Sequence, residues 1–427
     1  MRRFPRLLSI AGALALVSAL AVALAMVGNA GAAPASGAST ASSVALFHSC
    51  GAAATGFARC HAIVRVNKGN PHKQPTPTPT STGGGGSTYP TSCVNPGNGY
   101  TACDLVSAYN LPYTAGSGQT VAIVDAYDDP NAEADLGVYR AQFGLPACTT
   151  SNGCFRKVNQ SGVQGSYPQA NGGWAQEISL DLDMVSAVCP NCHILLVEAS
   201  SSSLANLGTA VNTAASLGAN AISNSYGGGE SSSDPSYDSS YYNHPGVAIT
   251  ASSGDSGYGA QYPAASQYVT AVGGTSLTRA NNTRGWSETA WSGAGSGCSS
   301  YDAQPSWQSS VSNITSVCGR RAIADVSAVA DPNTGVDVYD SYSYQGLSGW
   351  LVFGGTSVAS PIIASVYALA GNAASVNYGS YPYSHTSSLN DVTSGSNGSC
   401  GGSDLCTATS GWDGPTGLGT PNGAGGF

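Results

Sequence analysis

Five short apolar runs set the frame of the chain: Thr120 to Val124, Ile194 to Val197, Ala219 to Ser223, Val247 to Ala251 and Tyr268 to Val272. Their length suits buried strands. Stretches with a helical rhythm stand among them. Asn131 to Phe143 is amphipathic, Leu204 to Leu217 reads as a helix, and Asp104 to Tyr109 is an earlier one closed by Asn110-Leu111-Pro112. Strands alternating with helices predict an α/β fold with a mostly parallel central sheet. Asp125 falls at the C-terminal end of the first run, the edge where open parallel sheets bind ligands. Glu177 to Val185 is ambiguous, because its apolar positions 178, 180, 182, 184 and 185 fit neither period cleanly. Thr275 to Ser348 is richer in turns and carries Trp286, Trp291 and Trp307, as cleft loops or as flank packing.

The strongest apolar run is Ile362 to Ala370, IIASVYALA, which is too long for one core strand and reads as a buried helix. Gly354 and Gly355 turn the backbone tightly just before it. Ser357 therefore sits near a helix N-terminus, where free N–H groups can hold developing negative charge. The plainer reading is a Thr/Ser helix cap. If 177–185 is helical, Glu177 and Asp181 lie one turn apart on one face. Like charges there are costly unless they share a proton, which raises one pKa; a solvated acidic face is the alternative. Asp183 is a surplus acid, structural or on the surface. Asp255 follows the fourth strand run within Ser252-Ser253-Gly254-Asp255-Ser256-Gly257. Protonated, it can donate a hydrogen bond to an oxyanion; otherwise it holds its own turn through an Asx bond.

The front of the chain is different in kind. Arg2, Arg3 and Arg6 precede an apolar run from Leu7 to Val27 and small residues to Ala33, so 1–33 reads as a signal peptide and predicts secretion. An uncleaved anchor is the alternative for so long a run. Residues 34–70 form a short segment with Cys50, Cys60 and the apolar pieces Val44 to Phe47 and Ala62 to Val66. Residues 71–89, PHKQPTPTPTSTGGGGSTY, are an extended and then flexible linker. The main domain takes 90–427. A net charge of -9 with only 9% charged residues offers no basic footprint for nucleic acid. The 12 cysteines fit export and fall in close pairs along the chain, which makes neighbour pairing the simplest disulfide scheme. Cys189-Pro190-Asn191-Cys192-His193 also has the haem-attachment spacing, but no second axial-ligand signal accompanies it, and scattered histidines argue against zinc. Asp391-Val392 and Gly411-Trp412-Asp413 flank a glycine-rich stretch holding Cys400 and Cys406, a hard-oxygen set suited to calcium.

Four of these stretches, in this order, resemble the sedolisin (serine-carboxyl peptidase) family of the subtilisin-like superfamily: Glu177-x-x-x-Asp181, Ser253-Gly254-Asp255, Gly355-Thr356-Ser357-x-x-x-Pro361 and Gly411 to Pro421. The resemblance implies a subtilisin-like fold and a secreted, extracellular endopeptidase acting at acid pH through an acyl-enzyme. It implies Ser357 as nucleophile, Glu177 as general base, Asp181 as its support and Asp255 as oxyanion donor. One structural Ca2+ would be held by Asp391 and Asp413 with carbonyls of Val392, Thr409 and Gly411, although Thr409 stands where the family usually has Gly. Expected partners are protein or peptide substrates and the chain's own short 34–70 prosegment, with no nucleic acid, no membrane after signal cleavage, and a monomeric state. Two rivals remain. One is an inactive extracellular binding or structural protein on the same fold. The other is a histidine-dependent subtilisin-type peptidase, for which Asp125 fits, yet His193 and His244 lack the His-Gly-Thr context. Gly254-Asp255-Ser256-Gly257 also resembles a chymotrypsin-like nucleophile segment, against which the α/β alternation argues.

Overall fold

The computed structural model describes residues 44–67 and 90–427. The expected signal peptide and linker, and the flanks of the 34–70 segment, lie outside the described residues. The described chain begins with a β-hairpin. β1 (Val44–His48) pairs antiparallel with β3 (Ile63–Asn67), and the connecting loop carries the short β2 (Arg59–Cys60). Helix α1 (Ala102–Tyr109) follows, capped by a Thr101/Asp104 capping box.

Alternation of strands and helices then builds the centre: β4 (Thr120–Ala126), α2 (Ala132–Gln142), β5 (Phe155–Asn159), α3 (Gly172–Val188), β6 (His193–Ala199), α4 (Leu204–Ser216), β7 (Ala221–Asn224), the two-residue β8 (Tyr226–Gly227), β9 (Ala248–Ser252), β10 (Thr270–Arg279), β11 (Trp286–Ala290) and β12 (Val326–Val329). The 8-stranded sheet runs β11-β10-β9-β7-β4-β6-β5, with β12 beside β10. Every pairing in it is parallel except β10 with β11. This is the α/β architecture with a mostly parallel sheet expected from the apolar runs, and it is consistent with the subtilisin-like fold that the resemblance implies. The antiparallel pair β13 (Val336–Tyr344) and β14 (Leu347–Gly354) was not foreseen; β3 docks on β14, giving a second sheet in the order β1-β3-β14-β13.

Helix α5 (Thr356–Ala370) crosses the middle of the molecule and is buried from Thr356 to Leu369. It packs on α3 and on β4, β7, β9, β10 and β12. Helix α3 is likewise buried at every residue from Gly173 to Val188. A helix enclosed on all sides has no polar face to reveal its period, which is why 177–185 was ambiguous. The Asn171 side chain caps it by accepting from the Gly173 and Trp174 N–H groups. All 12 cysteines form near-neighbour disulfides: 50–60, 93–103, 148–154, 189–192, 298–318 and 400–406. The 189–192 bond consumes the thiols that haem attachment would need. Among the described residues, no helix is long and apolar enough to cross a membrane.

Candidate active site

The first turn of α5 and the middle of α3 meet beneath the C-terminal ends of β7 and β9. Ser357 is the second residue of α5 and is fully buried. Pro361, four residues on, has no N–H to give to the Ser357 carbonyl. The Ser225 hydroxyl stands 3.4 Å from that carbonyl and 2.8 Å from Asp181 Oδ1, and its single proton goes to the nearer carboxyl oxygen. The Ser225 carbonyl in turn accepts the Ser357 hydroxyl at 3.2 Å. A hydroxyl proton is free to rotate, and contact with Ser357 also lowers the Glu177 pKa. Ser225 thus ties Ser357 and Asp181 together. It lies just past the 219–223 strand run, where no side-chain pattern singled it out.

Glu177 and Asp181 are both wholly buried, one turn apart on α3. Glu177 is pushed well above the usual carboxylate range, first by burial and next by Asp125; hydrogen bonds from Ser357 and the Ala62 N–H oppose this. Asp181 is raised by burial, then by Asp125 and Glu177. Glu177 Oε1 and Asp181 Oδ2 lack a conventional donor among the described residues. A proton held between two such oxygens makes the missing hydrogen bond. Asp125 joins them from the end of β4. Neither of its oxygens has a hydrogen-bond partner among the described residues, and burial raises it to about 8. The sequence placed Asp125 at a ligand-binding sheet edge; it stands with the acids as a third carboxyl.

Asp255 comes from the turn after β9. Its Oδ1 accepts both the N–H and the hydroxyl of Thr356 at 2.8 Å, which fixes it beside the α5 N-terminus. Its buried Oδ2 has no partner among the described residues, and burial raises the group to about 7 against the pull of the Thr356 bonds. A carboxyl with one oxygen anchored and the other free can carry a proton outward. Gly355 leaves the space this requires. It has φ +97, and a Cβ there would meet His61 O at 1.8 Å and Asp255 Oδ2 at 2.7 Å.

That contact exposes what sequence reading missed: the cleft is filled by the loop of the N-terminal hairpin. β2 pairs antiparallel with β8, and β3 with β14, so residues 59–64 run as an extended strand between two cleft walls. The His61 N–H donates to the Ser225 carbonyl at 3.1 Å, the same oxygen that Ser357 uses. The His61 carbonyl lies over Gly355, on the Asp255 side. The Ala62 N–H donates to Glu177 Oε2 at 2.9 Å. The peptide bond His61–Ala62 is thereby bracketed by Ser225, Glu177 and Asp255. The His61 ring fills a pocket, with Nδ1 2.7 Å from Ser252 Oγ and Nε2 3.1 Å from Gln261 Oε1. Burial and Arg59 lower its pKa to about 3, so the ring is neutral there.

The Subtilase family model matches residues 163–385, which hold three of the acids and the serine of this constellation. The chain belongs to the sedolisin–subtilase superfamily. Within it, the chain is similar to kumamolisin of a Bacillus strain, at 30% identity over 365 residues covering 76% of this chain and 62% of that protein. It is similar to sedolisin of a Pseudomonas strain, at 36% identity over 207 residues covering 41% of this chain and 33% of that protein. It therefore spans less than two thirds of the curated relatives' own length. A solved Pseudomonas sedolisin, a serine-carboxyl proteinase complexed with pseudo-iodotyrostatin, superposes with a TM-score of 0.61 at 25% identity, covering 77% of this chain and 96% of that one.

Neither histidine of the subtilisin alternative is bonded to the serine. His193 is exposed at the start of β6, and His244 binds Asn212 and the Tyr241 carbonyl. The C-terminal calcium set is drawn together in part. Asp391 accepts from the Gly411 N–H and the Ser410 hydroxyl, while buried Asp413 accepts from Thr409 and Thr416. Asp413 is raised to about 8 by burial, with Asp391 adding to the shift, and the buried Thr409 hydroxyl has no partner among the described residues. Two neighbouring carboxylates and an orphaned oxygen fit a hard cation. A separate group, Glu230, Asp234 and Asp302, brings acidic oxygens within 4.8 Å of one another and is also compatible with a metal ion. Val392 is buried beside Asp391.

Proposed function

We propose that the chain is a secreted serine-carboxyl endopeptidase, made with residues 44–67 as an inhibitory prosegment. One observation carries this reading: a peptide bond of the chain itself lies among the acids, with its N–H on Glu177 and its carbonyl over Gly355 on the Asp255 side. Ser357 Oγ attacks the scissile carbonyl carbon while its proton passes to Glu177. Asp181, with Asp125 behind it, holds Glu177 and shares its proton. The carbonyl oxygen becomes an oxyanion facing protonated Asp255 Oδ2. Glu177 then hands the proton to the leaving nitrogen, the position now taken by the Ala62 N–H. The carbon–nitrogen bond breaks and an acyl-Ser357 forms. Water adds to it, its proton going to Glu177, and the carboxylic product leaves with Ser357 restored.

Three features favour this chemistry over an inert binding role. The acids are held off-solvent, which keeps them partly protonated. Asp255 has one oxygen anchored and one free. The nucleophile is fixed at a helix N-terminus. A calcium ion at Asp391 and Asp413, with carbonyls of Val392, Thr409 and Gly411, would neutralise buried charge and brace the C-terminal loops. The chain's own residues perform every step of cleavage. Purified chain should hydrolyse a quenched peptide library at acid pH, and S357A should not. Absence of Ser357-dependent hydrolysis at every pH, after removal of the prosegment, would return the binding-protein reading.

A further inference from the structure

We propose that the Cys50–Cys60 disulfide makes the hairpin a locked inhibitor, one that stays in the cleft after its own His61–Ala62 bond is cut. This rests on the peptidase reading above. A cut there would leave two new chain ends. The upstream end is His61. It keeps its N–H on the Ser225 carbonyl, its ring on Ser252 and Gln261, and Cys60 in its pairing with Tyr226. Further back, the Ala58 N–H stays on the Ser202 carbonyl at 2.8 Å. The downstream end is Ala62, and its new amine faces Glu177. Its carbonyl accepts the Ser49 N–H at 3.0 Å, and β3 beyond it is held between β1 and β14.

β1 and Ser49 belong to the upstream fragment, whereas β3 belongs to the downstream one. The five-residue β1–β3 register therefore spans the cut. What ties β1 to the cleft-bound residues 58–61 is the disulfide. It closes a loop with a sequence separation of 10, while residues 51–57 between its ends are exposed. Without that closure, β1 and the cleft strand would be joined only by an exposed arm, and each could leave separately. With it, both grips release together or neither does. A crosslink of this length restricts a freed segment by the equivalent of roughly a hundredfold in the open-to-bound ratio. Closure and strand pairing together hold the cut ends in register, so that departure of the fragment, not cleavage, limits activation.

The full chain tests this after a shift from neutral to acid pH. Denaturing mass spectrometry follows the cut at His61–Ala62, native gel filtration follows whether the upstream fragment leaves, and peptide hydrolysis follows activation. Wild type should show the cut well before activity, with the fragment co-eluting. The double variant Cys50→Ala, Cys60→Ala should lose the fragment and reach full activity at least about tenfold sooner. Ser49→Pro keeps the disulfide but removes the hydrogen bond to Ala62; it should shorten the lag in the same direction, and it replaces the double variant if that one misfolds. Equal lags and equal fragment retention in wild type and both variants overturn the lock and leave the peptidase reading intact. Full activity with His61–Ala62 uncut overturns it too. No Ser357-dependent hydrolysis in any chain defeats the peptidase reading, and the lock with it.

Discussion

Glu177 touches both the serine and the peptide nitrogen, so its removal should be felt in kcat and not in the fold. E177A and S357A should each lower kcat by at least about a hundredfold, the usual range for loss of a proton-transfer group, with melting unchanged within a few degrees. Asp255 acts differently. As the proposed oxyanion donor it would stabilise charge, so D255A should cost roughly 3 kcal/mol in transition-state binding, read as a drop in kcat with KM largely retained. Glu177, Asp181 and Asp255 were singled out in the sequence through the family resemblance that their order carries; their spacing alone left a solvated acidic face and an Asx turn open. Ser225 and His61 were not singled out, and Asp125 was read only as an acid at a strand end and as the aspartate of the subtilisin-type alternative. Asp125 is one carboxylate at one strand end, and only the fold brings it to Glu177. Ser225 works through a backbone carbonyl, which no side-chain pattern announces.

At the scale of elements, Gly355 is the joint between β14 and α5. An alanine there would face φ +97 with ψ 160, a region essentially kept for glycine and costing other residues about 1–3 kcal/mol, and a Cβ 1.8 Å from His61 O. G355A should destabilise the unprocessed chain more than the processed one, because the second penalty leaves with the hairpin. Chemical denaturation of both forms measures the difference. The apolar runs predicted the parallel strands well, since strands buried on both faces read as unbroken hydrophobic stretches. They were silent on α3, enclosed on every side, and on the β13–β14 pair, whose alternation of Asp, Tyr and Ser residues resembles loop composition. The pieces Val44 to Phe47 and Ala62 to Val66 were visible as apolar. Nothing local says that they form one hairpin whose loop reaches Glu177 more than a hundred residues away.

For the whole molecule, burial raises many carboxyls: Asp125 and Asp340 to about 8, Asp255 and Asp337 to about 7. A folded pKa above the unfolded one means that the native state binds the proton more tightly. The stability from these groups is complete below their unfolded values near 4 and is lost as pH rises through 7 to 8. Scanning calorimetry should therefore give a higher Tm at pH 4 than at pH 8. The low content of charged residues, 9%, limits the self-repulsion that usually opposes acid stability. Calcium should raise Tm in the wild type by mass action, and D413A should remove that increment; identical melts with chelator and with calcium would refute the site.

The central claim is that carboxyls, not a histidine, move the proton. Steady-state kcat/KM from pH 2 to 9 on a quenched peptide library, measured on processed wild type, E177A, H193A and H244A, tests it most directly. The account predicts an acid-side optimum that falls toward neutral pH as Asp255 ionises. It predicts near-complete loss in E177A and an unchanged profile in both histidine variants. A neutral optimum that survives E177A and vanishes in H193A or H244A would contradict it.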